Sequence, residues 1–512
     1  MKKFFLVFFS IVNISFLYSQ QTQLIPEKLH QNGFAQLDYL SIKMKNNSNR
    51  LEPNMGLAGM HYNLQFNNFY SGVGIYGSVR GERGGFFTLG INAGYQFHFS
   101  DNFYTDVGFH FGGGGGASAP DGGGAFILPH ANLAYRFKHV SLLAGWSYIN
   151  FFDGGDIKNH QINVALRIPL SFDFTLFNKR ESKFSIAALK TSKWNQIVSQ
   201  LSFLVHLNNL DVKGNSQFTN GEQINGKIIG LSGFEIGSYL NKNVFAYVRV
   251  DGAYKGIQAG YMDAFIGGGY QFWMNRNRTN ILAKFALGAS GGGGVDTKGG
   301  FLVYPDISLE QKIATNLFIA ANVGYIAQPS GDFRALNYGG GLKYYIDKDG
   351  IFSKQNTFSK AKFKGLETIV KEDFYLNAKR VTGIKKDMYQ ISLQLNFFFN
   401  KYIYGAAQTS FANFGDAGAY AEGIVGIGVE TNTFFNKTTS IFTQVLGGAA
   451  GGGGMRTGEG LIVKPSLGVN YKISPNLKLR GALGYVKARG DGLSNTFVNF
   501  GLNYNLSFLS VK

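Results

Sequence analysis

Apolar and polar residues alternate with period two along much of the chain. Near the C-terminus Val498, Phe500, Leu502, Tyr504, Leu506 and Phe508 alternate with Asn499, Gly501, Asn503, Asn505 and Ser507. An extended strand sends successive side chains to opposite faces, so one face here is apolar and aromatic and the other small or polar. The run has the length of a tilted membrane-spanning strand, about 9–11 residues. Phe87, Leu89, Ile91, Ala93, Tyr95, Phe97 and Phe99 repeat the pattern opposite Asn92, Gln96 and His98, and Leu317, Ile319, Ala321, Val323 and Tyr325 repeat it again. Many of these strands end in aromatics, as spans do where they meet the membrane interface. A soluble β-sandwich would show shorter strands and more turn prolines than the 9 present.

The pattern predicts an all-β fold: one large transmembrane antiparallel β-barrel of about 24 strands, in a range of about 22–26, bacterial single-chain barrels being even-numbered. Residues 183–208 read as two strands, 183–190 and 193–208, or as one, and residues 366–377 as a further strand; equal units of eight take one strand from 183–208 and one from 366–377. Within the barrel three segments resemble one another, 111–137, 290–313 and 451–473. Each joins a glycine run (Gly112 to Gly116, Gly291 to Gly294, Gly451 to Gly454) to a second glycine group, a few apolar residues and a proline, Pro129, Pro305 or Pro465. The spacing implies a threefold internal repeat of about eight strands, with units 32–176, 183–346 and 366–510 and each glycine run following the fifth strand of its unit. The runs lack the Gly-Lys-Ser/Thr ending and the helix of a phosphate loop. They read as strand ends where the backbone bends sharply or a neighbour approaches closely, with a flexible hairpin loop or a partner contact surface as alternatives. Three tandem eight-stranded barrels would need filled, charged interiors and real linkers, and 177–182 is short, so a single closed ring is the expectation.

The start of the chain changes the compartment. Met1-Lys2-Lys3 precedes an apolar stretch to Leu17 and then Ser19-Gln20, which reads as a signal peptide over 1–20 ahead of a barrel over 21–512. No later apolar run is long enough for a spanning helix. The net charge of +18 suits anionic lipid or anionic solutes; export argues against nucleic acid. The expected location is the outer membrane, both termini periplasmic. Residues 347–387 read as a long loop or lumen insert made basic by Lys354, Lys360, Lys362, Lys364 and Lys371. There is no HExxH and no cysteine, and the Gly288-to-Gly292 stretch that fits G-x-S-x-G spacing lies in a glycine run rather than in a nucleophile elbow ahead of a helix, so no enzymatic activity, metal or cofactor is expected. His98 and His110, on neighbouring strands, read as polar lumen lining.

The Lys-Lys-Phe-Phe-Leu start, the Ser-Gln cleavage region, the Asn-, Lys-, Phe- and Tyr-rich spans and the terminal VNFGLNYNLSFL together resemble outer-membrane β-barrel proteins of the Bacteroidota. The chain departs from that style in ending on Lys512 rather than on an aromatic. Organisms with such barrels export proteins through large outer-membrane assemblies that contain accessory barrels, so the resemblance adds a subunit role to the expectations, though no residue marks it. Two functions follow as expectations: a passive outer-membrane pore for small solutes, anionic ones if the basic charge faces the lumen, or an accessory or structural barrel subunit of a secretion or assembly complex. Expected partners are outer-membrane lipid and lipopolysaccharide, with outer-membrane protein or lipoprotein partners in the second case.

Overall fold

Each strand pairs with the next in sequence until the eighth, which returns to the first. The computed structural model describes residues 24–44, 52–352, 358–490 and 492–511, so the predicted signal peptide and Lys354 lie outside the described residues. Ring 1 consists of β1 (Leu29–Ile42), β2 (Met55–Phe66), β3 (Phe69–Arg80), β4 (Phe87–His98), β5 (Phe103–Gly115), β6 (Phe126–Arg136), β7 (Ser141–Phe151) and β8 (Lys158–Phe174). A two-residue strand β9 (Lys183–Phe184) and a short helix (Ile186–Lys190) lead on to ring 2. That ring is β10 (Ser199–Lys213), β11 (Ile228–Tyr239), β12 (Val244–Lys255), β13 (Met262–Met274), β14 (Thr279–Gly291), β15 (Phe301–Ala314), β16 (Leu317–Ala327) and β17 (Arg334–Lys348). Ring 3 is β18 (Ala361–Lys379), β19 (Lys385–Phe398), β20 (Ile403–Phe414), β21 (Ala421–Glu430), β22 (Thr439–Gly451), β23 (Leu461–Ser474), β24 (Leu477–Ala488) and β25 (Ser494–Val511).

The all-β, antiparallel barrel class holds, but the pairing divides the expected single ring into three. β1 pairs with β8 from Leu29↔Phe174 to Leu40↔Asn163, β10 with β17 from Ser199↔Lys348 to Lys213↔Arg334, and β18 with β25 from Ala361↔Val511 to Tyr375↔Phe497. Those three ladders satisfy the backbone groups that a single large ring would have offered to the following unit. Two local expectations change as well. Where one or two strands are expected over 183–208, the chain forms β9, the short helix and a single long strand, β10. The expected loop 347–387 contains β18, which covers and extends the strand expected over 366–377, and the start of β19; there Lys362 and Lys364 bind Glu181 at 2.6 and 3.2 Å, and Lys371 points into ring 3.

The rings are inverted relative to a soluble protein. On β15, Pro305, Ile307 and Leu309 are exposed while Asp306, Ser308 and Glu310 are buried. Leu467, Leu483 and Phe500 are 59, 58 and 62% exposed, whereas Asp373, Glu367 and Lys371 are 0, 0 and 3% exposed. Only an apolar surrounding stabilises that partition, which makes the outer band the membrane-facing surface. Among the described residues no helix is long and apolar enough to cross a membrane.

Pro129, Pro305 and Pro465 fall on the sixth strand of each ring, and each interrupts the ladder to the seventh. Pairing skips from Ile127↔Asn150 to His130↔Ser147, from Val303↔Ala327 to Asp306↔Gly324 and from Val463↔Lys487 to Ser466↔Gly484. Proline has no N–H to give to that ladder. At the terminal ends the rings meet through an apolar cluster that includes Phe174, Ile346, Leu506 and Phe508.

Candidate functional site: ring contacts and filled lumens

The glycine runs sit where ring meets ring. In each ring the fifth strand and the loop after it receive the loop between the third and fourth strands of another ring. Gly84 of ring 1 donates its N–H to the Lys298 carbonyl of ring 2 at 2.6 Å, Ala259 of ring 2 to Gly458 of ring 3 at 3.4 Å, and Gly418 of ring 3 to Gly122 of ring 1 at 3.3 Å. The three contacts are equivalent and close a cycle, the heterologous arrangement of a trimer carried within one chain.

Close approach explains the glycines. A Cβ on Gly291 would lie 2.5 Å from Gly84 C and Gly85 N, and one on Gly451 would lie 2.5 Å from Gly260 N. On Gly113, inside the first run, it would strike the Ala412 carbonyl of ring 3. The second glycine group supplies a further equivalent set. Gly124, Gly300 and Gly460 have φ of +98°, +90° and +104°, and a Cβ on them would stand 2.5, 2.5 and 2.7 Å from the carbonyls of Ala412, Ser78 and Ala253. Position and backbone both demand glycine there. The other named glycines divide. Gly112 and Gly116 press on β4 and Gly85 of their own ring, Gly294 approaches Phe218, and Gly454 has open space around it.

The receiving loops carry a repeat that the strand pattern concealed. Arg80–Phe87, Lys255–Met262 and Phe414–Ala421 align without gaps, as R-G-E-R-G-G-F-F, K-G-I-Q-A-G-Y-M and F-G-D-A-G-A-Y-A. The penultimate aromatic is buried in all three, Phe86, Tyr261 and Tyr420 at 0, 1 and 0% exposure. Its carbonyl accepts the N–H of Ser78, Ala253 or Ala412 at 2.9 Å each time. Beneath the loops Phe87, Leu89, Ala289 and Phe411 form an apolar cluster drawn from all three rings. In the 116–125 loop, burial pushes the Asp121 carboxyl up to about 6, against the pull of the Gly116 N–H and of Arg83. Asp121 Oδ2 accepts that N–H at 2.7 Å.

The lumens form the second feature. An eight-stranded ring is just wide enough for side chains to fill, and in every ring ion pairs join strands that are not neighbours and so cross the interior, with further pairs between adjacent strands. In ring 1 Arg167 on β8 binds Asp106 on β5 at 2.7 Å, and Tyr70 and His130 reach the same carboxylate at 2.9 Å. In ring 2 Lys284 on β14 bridges Glu235 on β11 and Asp306 on β15, both at 2.9 Å, and Lys343 binds Glu310 at 2.8 Å. In ring 3 Lys464 on β23 bridges Asp373 on β18 and Glu422 on β21 at 3.0 and 3.1 Å, and Lys478 on β24 bridges Glu367 and Glu430 at 2.7 and 3.1 Å. His110 is buried in ring 1 beside Asn92, whereas His98 lies exposed at a strand end. Ring 1 retains a cavity of about 20 Å³, room for about one water. A larger gap, about 310 Å³, lies between rings 2 and 3, with Val205, Leu207, Phe234, Val250, Met262 and Val425 among its walls. Among the described residues no three His, Asp or Glu side chains are grouped to hold a metal ion.

No protein-family model matches the sequence, and no curated protein matches it. The solved structures it is similar to include three outer-membrane proteins of Pseudomonas aeruginosa. OpdQ is 8% identical over 93% of this chain and 98% of its own, with a TM-score of 0.22. OccK2 (OpdF), solved in complex with glucuronate, is 9% identical over 93% and 98%, with a TM-score of 0.23. A mutant of the ferric enterobactin receptor PfeA is 9% identical over 93% and 80%, with a TM-score of 0.28. At such scores the likeness carries no argument about this chain. The inverted partition of polar and apolar residues independently makes the chain a transmembrane β-barrel protein of the outer-membrane type.

Proposed function

We propose that the chain is a structural barrel protein of the outer membrane, a three-ring platform serving as an accessory subunit of a larger envelope assembly rather than an enzyme. The observation that carries this reading is the set of ion pairs crossing each lumen, Arg167 to Asp106, Lys284 to Glu235 and Lys464 to Asp373. Parting such a pair leaves buried charges uncompensated, at about 3–5 kcal/mol each, so the networks oppose a standing water path. The reading also accounts for the three inter-ring contacts, which hold three spans in fixed relation without conducting anything. Lipopolysaccharide around the outer band, and an outer-membrane protein or lipoprotein, are the partners it calls for.

The second reading is the passive pore for small anionic solutes, favoured by the exposed basic turns at the terminal end (Lys138, Lys242 and Lys401 among them). It requires the lumen networks to open. Single-molecule conductance in planar bilayers separates the two. The platform reading expects no sustained ohmic step from the purified protein, whereas steady anion-selective steps at neutral pH overturn it.

A further inference from the structure

The two ends of the rings differ in charge. Nine turns lie on the side of the chain termini: 67–68, 99–102, 137–140, 240–243, 275–278, 315–316, 399–402, 431–438 and 475–476. They hold six basic residues, Lys138, Lys242, Arg276, Arg278, Lys401 and Lys437, against one acid, Asp101. The link between rings 1 and 2 at the same end adds Lys179, Arg180, Lys183, Lys190 and Lys193 against Glu181. At the other end the described loop residues are acidic on balance, ten Asp and Glu against seven Lys and Arg.

All six turn cations are exposed, and none forms an ion pair among the described residues. They stand beside exposed apolar side chains: Phe137 next to Lys138, Leu240 near Lys242, Met274 near Arg276, Phe399 and Tyr402 flanking Lys401, and Phe435 near Lys437, between 42 and 76% exposed. Aromatics at a strand end mark the boundary of the hydrocarbon, so cations one or two residues further along the chain stand at headgroup depth. The turns belong to all three rings, which spreads the charge around the rim rather than gathering it into one protein-sized patch.

We propose that the terminal-side rim is a recognition surface for the anionic phosphate headgroups of phospholipids, binding that leaflet in preference to a zwitterionic one. An anionic surface attracts each nearby Lys or Arg, and the attraction is screened by salt. The inference is independent of whether the rings conduct.

Trp273 reports on this rim, because its Nε1–H donates to the Lys242 carbonyl at 3.0 Å and Arg276 follows three residues later. The test uses the full chain with Trp146→Phe and Trp194→Phe, leaving Trp273 as the sole tryptophan, excited selectively at the red edge where the tyrosines do not absorb. It is reconstituted in vesicles of phosphatidylcholine mixed in equal parts with phosphatidylglycerol, with either lipid brominated near the headgroup. The expected result is several-fold stronger quenching by brominated phosphatidylglycerol than by brominated phosphatidylcholine. The preference should disappear in high salt and in Lys242→Gln/Arg276→Gln/Arg278→Gln. Equal quenching by the two lipids overturns the proposal and leaves the cations to an acidic protein. A preference that persists in high salt also overturns it. So does a stronger preference for added lipopolysaccharide, which would put this rim in the opposite leaflet. The salt arm needs no rim variant, so misfolding of the triple variant leaves the outcome decidable.

Discussion

If close approach between rings is what the glycine runs provide, adding one methyl group at a contact must cost more than adding it elsewhere on the same strands. Gly451 is the cleanest probe. Its φ is not in the left-handed region, so Gly451→Ala introduces no backbone strain, yet the new Cβ would sit 2.5 Å from Gly260 N and 2.6 Å from the Ala259 Cβ of the neighbouring ring. Those are backbone and short side-chain atoms that cannot swing aside, so ring 2 and ring 3 must part slightly. Overpacking of this kind costs typically about 1–3 kcal/mol. Two controls separate the terms. Gly423 has ordinary φ and no atom within 4 Å of its Cβ position, and Gly383 has φ +87° with equally open space. Gly423→Ala should be neutral, and Gly383→Ala should cost about 1–2 kcal/mol from the left-handed backbone alone. Thermal unfolding of the purified protein in one detergent, followed by far-ultraviolet circular dichroism and by the heat-dependent gel shift of folded barrels, ranks the three. Gly451→Ala should melt below wild type and lose proteolytic protection of the 256–261 loop, which Gly383→Ala should retain. If Gly451→Ala melts with Gly423→Ala, the runs are merely flexible hairpins and the packing account of them fails.

Other expectations follow from the same geometry. The chain has no cysteine, and Cβ atoms at Gly77 and Gly252 would lie 2.7 and 2.8 Å from those of Ala289 and Ala449; Gly77→Cys/Ala289→Cys and Gly252→Cys/Ala449→Cys should therefore oxidise to disulfides joining rings 1–2 and 2–3, with a small shift toward the usual Cβ spacing of about 3.8 Å, and fragments that separate on non-reducing gels after cleavage between the rings would refute the contact. Lys284→Met strands Glu235 and Asp306 in ring 2 and should lower stability by about 3–5 kcal/mol in chemical denaturation, while an unchanged midpoint would mean that water already fills the ring. Asp263 faces Asp251 directly across β12–β13, both buried, and neither Asp263 oxygen has a hydrogen-bond partner; Asp263→Asn relieves the like-charge pair and should stabilise by about 0.2–1 kcal/mol, and a lowered midpoint would show a role for that carboxylate. The Asp121 carboxyl is held at about 6 in the folded chain against 3.8 ordinarily, so the folded state takes the proton first; stability should rise by roughly 1–3 kcal/mol as pH falls from above 6 toward 4 and be lost as pH rises through 6, toward the lower figure because the group is partly exposed, and Asp121→Asn should flatten that part of the melting-temperature profile.

Much of this architecture is written locally. Period-two alternation marks nearly every strand, and the glycine runs and prolines lie on the fifth and sixth strands of each ring as their spacing suggests. Ring closure is not written locally. β8 carries the same alternation whether it pairs with β1 or with the strand that follows, because register and partner choice are decided across the whole ring. The clue is the interior charge, and it also shortens a strand. On β18, Glu367, Lys371 and Asp373 occupy inward positions, so 366–377 reads as a strand while the Lys-rich stretch before it reads as a solvated loop, although the wall already begins at Ala361. The inter-ring loops were missed because their shared pattern depends on a single glycine spacing and one aromatic, and it emerges only when Arg80, Lys255 and Phe414 are aligned.

Carrying the three rings in one chain lets the contacts be equivalent in backbone and unequal in side chains. In a trimer of identical subunits every change is made three times; here each interface drifts alone. The ring 1–2 contact adds a Ser78 hydroxyl bond to the Gly299 carbonyl at 3.0 Å, and Arg83, on the ring 1 loop of that contact, is clamped to Glu52 at 2.6 Å. The ring 3–1 contact instead places Asp121 beside Gly418 and packs Phe152 against Phe414 at 6.1 Å. The ring 2–3 contact keeps its glycines and its backbone bond but leaves the 310 Å³ gap beneath them. What is common to all three is the part that glycine and main-chain hydrogen bonds enforce; what differs is side-chain filling around it. An interface defined by backbone tolerates different side chains around it, which is why glycines mark all three contacts although the surrounding residues differ.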